Sequence, residues 1–210
     1  MTTKVKLIQL GQESLAGGDA PAEIRGKYHS AVIEQYLDMA YADILQDQFD
    51  TAGNDFTKFD NFAKGYQCTI AYNKETELKY FDLPVTLIPL SPKQAGIRSI
   101  SMFKGQQMAF APIQNSSIPM WDELEAMQVD TETCAYMVEE NQCVLYKNAP
   151  DIGAILLVKV ITPFAELKSS DTVYVPGGKN SILFQRMYQF MSLRGNSAEK
   201  YNDNTSVQTK

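Results

Sequence analysis

The residues of this chain best suited to acid–base chemistry lie around its only tryptophan. Trp121 is followed by Asp122, Glu123 and Glu125, in a stretch that predicts a short helix over residues 118–127. A glycosidase needs two carboxylates across a cleft, and an aromatic ring beside them can stack on a sugar. Acids near an aromatic residue are common in protein domains, so a hydrolase that uses these acids is the least supported of the possible functions.

Nucleophilic and metal chemistry lack the residue patterns they need. His29 is the only histidine and no G-x-S-x-G motif occurs, so the sequence indicates no catalytic triad. Zinc sites use clustered histidine and cysteine side chains, whereas Cys68, Cys134 and Cys143 are scattered and form no C-x-x-C pair. We interpret His29 as structural or surface-exposed, and the cysteines as free thiols in a reducing compartment. The sequence predicts no catalytic residue, no metal site and no cofactor site.

The sequence GGKNS at residues 177–181 resembles the end of a phosphate-binding loop. The Walker pattern requires a glycine at the position that Val173 occupies, and a serine or threonine at the position of Asn180. Both requirements fail. We therefore interpret the segment as a Gly-Gly turn in which Asn180 or Ser181 caps the following helix.

The composition is that of a globular protein, with 44% hydrophobic and 21% charged residues. The net charge is −6, and the longest basic cluster is the pair Lys4 and Lys6. A surface that grips DNA needs clustered basic side chains, so this balance argues against a nucleic-acid-binding protein. The most apolar stretch, residues 153–165, is interrupted by Lys159 and Pro163 and is too short to cross a bilayer. With no secretory leader either, we expect a soluble protein.

Two segments have the apolar periodicity of helices. Residues 27–49 predict a long helix with an apolar stripe so wide that it should contact more than one neighbour. We predict that the stripe contributes to a subunit interface through Tyr28, Val32, Ile33, Tyr36, Leu37 and Ile44. Residues 182–193 predict a second helix with one apolar face, which ends at Gly195.

Between the helices, short alternating segments separated by turns predict a β-rich region. We expect an α+β fold in which the N-terminal long helix and the C-terminal helix pack together, with a large antiparallel β barrel or sandwich between them. The predicted strands cover residues 66–72, 78–82, 85–88, 99–103, 107–111, 133–138, 143–146 and 154–161. The predicted domains are residues 1–55 (N-terminal helical segment), 56–176 (β domain), 177–194 (C-terminal helix) and 195–210 (extended polar tail).

Residues 81–100 contain three prolines, Pro84, Pro89 and Pro92. Proline cannot donate a hydrogen bond to a sheet, so it belongs at strand ends or edges. Pro84 and Pro89 are therefore predicted to bracket a short strand, and Pro92 to begin a loop. The segment contains no nucleophile–base pair and no metal-ligand spacing, so its purpose is to shape a surface.

The same segment continues with Gly96, which we expect to supply a turn, and with Arg98, which we expect to point outward. We predict that this strand–loop–strand faces another subunit. Residues 195–210 are polar, a composition typical of disorder, and we expect them to dock on a neighbouring subunit or partner. These expectations add Pro84, Pro89, Pro92, Gly96, Arg98 and Tyr201 to the predicted interface.

Several of these stretches resemble one family of viral proteins. They are YFDLPV at residues 80–85, LSP at 90–92, GIRSI at 96–100, and the helix from HSAVIE at 29–34 to DIL at 43–45. Over roughly residues 20–195 the chain is similar to virion proteins of crAss-like tailed bacteriophages, namely the ring or head-to-tail connector proteins beneath the portal. The resemblance is one of order and composition rather than of a diagnostic motif.

The resemblance implies a structural role and no enzymatic activity. Such proteins have packed helices with a β-rich insertion, assemble as homo-oligomeric rings that are commonly dodecamers, and bind the portal protein and neighbouring tail rings. DNA passes through their channel without specific binding, and no membrane is involved. The implied location is the head–tail junction of the virion, with assembly in the host cytoplasm. The large β region, residues 65–175, is a departure from simpler connectors and leaves open which ring this protein forms.

A different class of function stays open at this point. A β-rich tail module that recognises a carbohydrate or receptor would use an exposed aromatic cluster in a concave site. Tyr66, Tyr72, Tyr80 and Phe81 could supply such a cluster. The simpler interpretation is that these aromatic side chains form cross-strand pairs within a sheet.

Overall fold

The computed structural model describes residues 2–17, 20–52, 56–88, 90, 96–105, 108–114, 117–118, 133–175 and 180–193. The chain divides into two units. The helical unit contains residues 1–51 and 163–210, and the β unit contains residues 52–162. The β unit is therefore an insertion between the two halves of the helical unit.

The described residues form an α+β fold. The helices are α1 (Lys4–Gly17), α2 (Ser30–Thr51) and α3 (Asn180–Leu193), with 3₁₀ segments at Ala22–Ile24 and Phe56–Phe62. The strands are β1 (Thr2–Thr3), β2 (Ala63–Thr69), β3 (Ala71–Tyr72), β4 (Lys79–Asp82), β5 (Ile97–Met102), β6 (Ala109–Pro112), β7 (Thr133–Glu139), β8 (Gln142–Lys147), β9 (Ile155–Ile161) and β10 (Thr172–Val173).

The helical unit takes in residues 163–175, which the sequence pattern placed in the β domain. Phe164 is fully buried, and its ring centroid lies 6.1 Å from that of Tyr41 on α2. Further along, β10 pairs antiparallel with β1, with Thr2 opposite Val173. These contacts return the chain to the helices before α3 begins. The boundary therefore falls at residues 162/163 rather than 176/177.

The long helix and the C-terminal helix pack together, as predicted, and α2 also contacts α1. Gly11, a residue type with low helix propensity, lies inside α1 and is buried. A Cβ atom added at Gly11 would lie 3.0 Å from Cγ2 of Ile33 on α2. The glycine thus lets the two helices approach closely. None of the described helices is long and apolar enough to cross a membrane.

Two sheets build the β unit. One has the strand order β2-β9-β5 and the other β3-β4-β8-β7-β6. All described strand pairs in this unit are antiparallel except β6 with β7, which is parallel. The expectation of a wholly antiparallel region is wrong at this pair. A parallel pair needs a crossover connection rather than a hairpin, and the chain between Pro112 and Thr133 is long enough for one.

Buried side chains from both sheets join in one apolar cluster. It includes Cys68 of β2, Phe81 of β4, Ile97 of β5, Tyr136 of β7 and Val158 of β9. This arrangement is compatible with a β sandwich, and the described strands form no closed barrel. The core of the β unit therefore lies between its two sheets.

Residues 85–88 form no strand, contrary to the sequence prediction. Val85 and Leu87 instead pack against the apolar cluster as partly buried side chains. The burial of these two side chains explains why this run reads as a strand in the sequence. Gly96 lies at a turn with a φ angle of +86°, which confirms the turn predicted there. A Cβ atom at Gly96 would lie only 2.6 Å from the carbonyl oxygen of Ile88.

Candidate functional site

The apolar stripe of α2, predicted as a subunit interface, lies mostly inside the helical unit. Ile33 and Leu37 are fully buried, and Tyr28, Tyr36 and Ile44 are buried as well. The sixth residue of the predicted stripe, Val32, is half-buried. The core of the unit therefore accounts for the apolar character of these positions. The neighbours that the wide stripe predicted are α1 and α3 of the same chain.

The β-unit residues of the predicted interface lie in contrasting environments. Pro84 is exposed, whereas Gly96 is buried against Ile88. Arg98 does not point outward as expected, because its side chain is only 20% exposed and its Nε lies 3.0 Å from Oδ1 of Asp60. The contact is an ion pair rather than a well-aligned hydrogen bond, since Arg98 Nε has no partner of suitable hydrogen-bond geometry. Arg98 thus ties β5 to the 3₁₀ segment Phe56–Phe62.

The remaining predicted residues lie outside the described part of the chain. Among the interface residues these are Pro89, Pro92 and Tyr201. The acidic residues beside Trp121, and Gly177–Lys179 of the GGKNS stretch, are likewise not described. The predictions made for them therefore stay predictions. Asn180, which begins α3, donates a hydrogen bond from Nδ2 to Thr2 Oγ1 at 3.0 Å and so links the helix to β1.

The three cysteines lie in the core of the β unit as free thiols. Burial raises the pKa of Cys68, raises that of Cys143 well above its usual value, and raises that of Cys134 to about 12. A protonated thiol is a poor nucleophile and a poor metal ligand. Among the described residues, no group of three or more His, Cys, Asp or Glu side chains is placed to hold a metal ion.

His29 lies immediately before α2 and is exposed, as expected of a surface residue. Its Nδ1 accepts a hydrogen bond from the backbone N–H of Ala31 at 3.3 Å, and its carbonyl accepts one from Val32 at 3.0 Å. These bonds satisfy amide groups of the first helical turn that have no partner within the helix. The imidazole therefore has a local structural role at the start of α2.

The four aromatic residues considered for ligand stacking do not share one surface. Phe81 is fully buried in the apolar cluster, and Tyr66 packs against that cluster with its hydroxyl 3.3 Å from Thr162 Oγ1. Tyr80 is half-buried, and Tyr72 is 43% exposed. Their different environments favour the sheet-packing interpretation over a common stacking platform.

Lys4 is a buried cation that the sequence pattern did not single out. Its Nζ lies 2.5 Å from Oε1 of Glu34 on α2, and it donates hydrogen bonds to the carbonyl oxygens of Ala165 at 2.7 Å and Leu167 at 2.9 Å. The same nitrogen lies 5.5 Å from the ring centroid of Phe164. A buried charge is stable only with such partners. Lys4 thus fastens α1, α2 and residues 163–167 together.

A groove on the helical unit is lined by residues of α1, the turn at Pro21 and α3. It has a volume of about 650 Å³, with Leu10, Glu13 and Ser14 from α1, and Ser181, Phe184, Gln185 and Tyr188 from α3. A second cavity, of about 590 Å³, shares Pro21, Gln185 and Tyr188 with it and continues to Gln189, Ser192 and Leu193. We call the two together the α1–α3 groove.

The lining of the α1–α3 groove combines polar and apolar side chains. In its floor, Ser14 Oγ and the hydroxyl of the buried Tyr188 share a hydrogen bond. At one end, Leu193 is 81% exposed. Glu13 and Gln185 are exposed on the rim. A groove in which apolar side chains alternate with polar ones is suited to binding another segment of polypeptide, because it offers both apolar contacts and hydrogen bonds. Its lining comes from elements far apart in the sequence, so periodicity alone could not reveal it.

The sequence matches no protein-family model and no curated protein.

Proposed function

We propose that this chain is a structural virion protein that forms an oligomeric ring in the head-to-tail connector of a tailed bacteriophage. In this role the ring extends the portal channel, docks tail components and lets DNA pass. The proposal places the protein at the head–tail junction, in contact with the portal protein and a neighbouring tail ring. It rests first on the resemblance of residues 80–100 and 29–45 to crAss-like phage connector proteins.

The insertion of the β unit into the helical unit also supports the proposal. The connector proteins that the sequence resembles consist of packed helices with a β-rich insertion. Here residues 52–162 form a β unit inserted into a helical unit in which α2 packs against α3 and α1. The insertion begins and ends where the helical segments stop and resume. This arrangement agrees with the family architecture at the level of the whole chain.

The charge of the chain is also suited to a channel for DNA. Its net charge is −6. Like charge disfavours lodging of a polyanion, so an acidic channel wall would let the genome slide past. A surface that binds DNA tightly would instead require an excess of basic side chains.

The mass and symmetry of the assembly test the proposal directly. The purified protein, alone and mixed with portal protein, is examined by multi-angle light scattering and by negative-stain electron microscopy. We expect a ring whose mass corresponds to several copies of the 23.5 kDa chain, with a dodecamer as the family expectation. A chain that stays monomeric in both conditions and does not bind portal protein would exclude this function.

A further inference from the structure

The α1–α3 groove has the properties of a receptor for an extended peptide. Its apolar lining includes Leu10 and Phe184 in one half and the exposed Leu193 at the other end, with Pro21 between them in both cavities. None of these side chains is charged. A peptide with two apolar side chains, one for each half of the groove, would bury apolar surface at both ends.

We propose that the α1–α3 groove of one copy binds residues 194–210 of a second copy of this chain. The inference rests on the ring proposed above, and it names the contact that joins neighbouring copies. Each copy then contributes a groove on one side and a C-terminal segment on the other. Such a heterologous contact generates a closed ring when the rotation between copies closes.

The spacing of apolar residues in the C-terminal segment matches the length of the groove. Its largest apolar side chains are Tyr201 and Val207, which lie an even number of residues apart and so share one side of an extended chain. At about 3.3 Å per residue they are separated by about 20 Å. Along α3, Ser181 and Leu193 are about 18 Å apart, at 1.5 Å per residue. Both side chains can therefore occupy the groove at once.

The same lengths favour a second copy over the chain's own segment. A chain that leaves α3 after Leu193 and turns back at Gly195 would reach the far end of its own groove near Tyr201, about 20 Å further on. Val207 would then lie about 20 Å beyond the groove, with no place in it. The segment of a neighbouring copy has no such constraint and can place both anchors.

Charge gives the segment a direction in the groove. Glu13 is exposed on the rim of the half that contains Ser181. Lys200 directly precedes Tyr201. Opposite charges across a rim fix register more than they add affinity. We therefore place Tyr201 in the half of the groove beside Glu13 and Val207 in the half beside Leu193.

Single substitutions test the two halves of the contact separately. Gln185 is exposed and lines both cavities, so Gln185→Trp fills the groove without disturbing the core. Gln9→Trp makes the same change at an exposed position of α1 outside the groove lining. Tyr201→Asp removes the larger anchor of the segment. Asn204→Asp, three residues away and so on the opposite side of an extended chain, is its matched control. We expect Gln185→Trp and Tyr201→Asp to raise the concentration for half-assembly by about tenfold or more, and both controls to leave it unchanged.

Mixing the two defective variants distinguishes a contact between copies from one within a copy. The Gln185→Trp chain keeps its C-terminal segment, and the Tyr201→Asp chain keeps its groove. A mixture at equal concentrations can therefore form one intact contact per pair of chains. We expect dimers, measured by sedimentation velocity, where each variant alone is monomeric. Monomers in the mixture would place the segment in the groove of its own chain and overturn the proposal.

The experiment also separates this inference from the proposed function. If the wild-type chain forms rings and both defective variants form them at the same concentrations, the groove contact is excluded. The proposed ring-forming function is then unaffected. If the wild-type chain forms no ring with or without portal protein, the connector function fails, and the inference that depends on it fails too. Circular dichroism spectra that coincide with that of the wild type establish that each variant is folded.

Discussion

Lys4 and Glu34 form an ion pair that joins the first turn of α1 to the first half of α2, with Nζ and Oε1 2.5 Å apart. The lysine side chain is 8% exposed, while that of Glu34 is 35% exposed. Most of the cost of burying this pair therefore falls on the lysine, whose remaining protons go to two carbonyl oxygens of the returning segment.

We expect Lys4→Met to destabilise the protein by about 2–3 kcal/mol, because it leaves the carbonyl groups of Ala165 and Leu167 without their donor. The measurement is the free energy of unfolding in urea. Lys6→Met is the matched control, since Lys6 is exposed on the same helix and should change stability by less than about 0.5 kcal/mol. Equal effects of the two substitutions would contradict the structural role of Lys4.

Gly96→Ala should be strongly destabilising for a steric reason. The new Cβ would lie 2.6 Å from the Ile88 carbonyl oxygen, which belongs to the backbone and cannot rotate away. Gly105 also has a positive φ angle, +97°, but its Cβ would meet nothing within 4 Å. Gly105→Ala therefore measures the backbone strain alone, about 1 kcal/mol. We expect Gly96→Ala to cost about 3 kcal/mol or more in thermal or urea unfolding, and a loss equal to that of Gly105→Ala would refute the close contact.

The buried thiols predict that stability decreases at alkaline pH. Burial raises the pKa of Cys134 to about 12, whereas an unfolded cysteine titrates near about 8.5. The folded thiol keeps its proton where the unfolded one loses it. Its contribution to stability is therefore fully present below about pH 8.5 and is lost as the pH rises toward the folded pKa. We expect the free energy of unfolding to fall above about pH 8.5, by up to about 1.4 kcal/mol per pH unit for each such thiol.

A cysteine variant isolates this dependence. Cys134→Ala removes one titrating thiol from the core of the β unit, so its unfolding free energy should fall less steeply with pH than that of the wild type. Urea titrations between about pH 7 and 10 give both slopes. The comparison uses the slopes alone, because the substitution also leaves a small cavity that lowers stability at every pH. Parallel slopes for the two proteins would mean that Cys134 ionises normally in the folded state.

Ile33 tests whether the α2 stripe serves folding or assembly. Ile33 is fully buried beside Gly11, so Ile33→Asp places an unpaired charge in the core of the helical unit. We expect a loss of more than about 3 kcal/mol and a chain that is unfolded or only partly folded by circular dichroism. Ala31→Asp, at an exposed position in the same turn, should fold normally. A folded Ile33→Asp chain with a defect only in oligomerisation would instead assign the stripe to a subunit interface.

Periodicity predicted the helices well and missed contacts between distant segments. The wide stripe of α2 was visible because many apolar residues recur at helical spacing. Within α1, Gly11 lowers the helix propensity, and its close contact with Ile33 is not visible in the sequence. The pairing of β1 with β10 involves two residues on each strand, too few for any alternating pattern.

The errors in the β unit have a common cause. Val85 and Leu87 are apolar because they cover the core rather than because they join a sheet. Arg98 follows a glycine turn and alternates with apolar residues, which suggests an outward direction, but the partner that turns it inward is Asp60 in a separate segment. The α1–α3 groove was likewise invisible, since α1 and α3 come from opposite ends of the chain. Local patterns identify elements, whereas sites depend on which elements meet.

The insertion of the β unit has a consequence for the entropic cost of folding the helical unit. Within that unit, Ala63 at the start of β2 lies opposite Ile161 at the end of β9. Once these strands pair, the point where the chain enters the unit and the point where it leaves are held side by side. The long connection between the two halves of the helical unit is then effectively closed. The formation of the sheet has already offset the entropic cost of bringing its ends together. The helical segments on either side then become neighbours along a shortened path, so pairing of β2 with β9 lowers the entropic cost of packing α3 against α2.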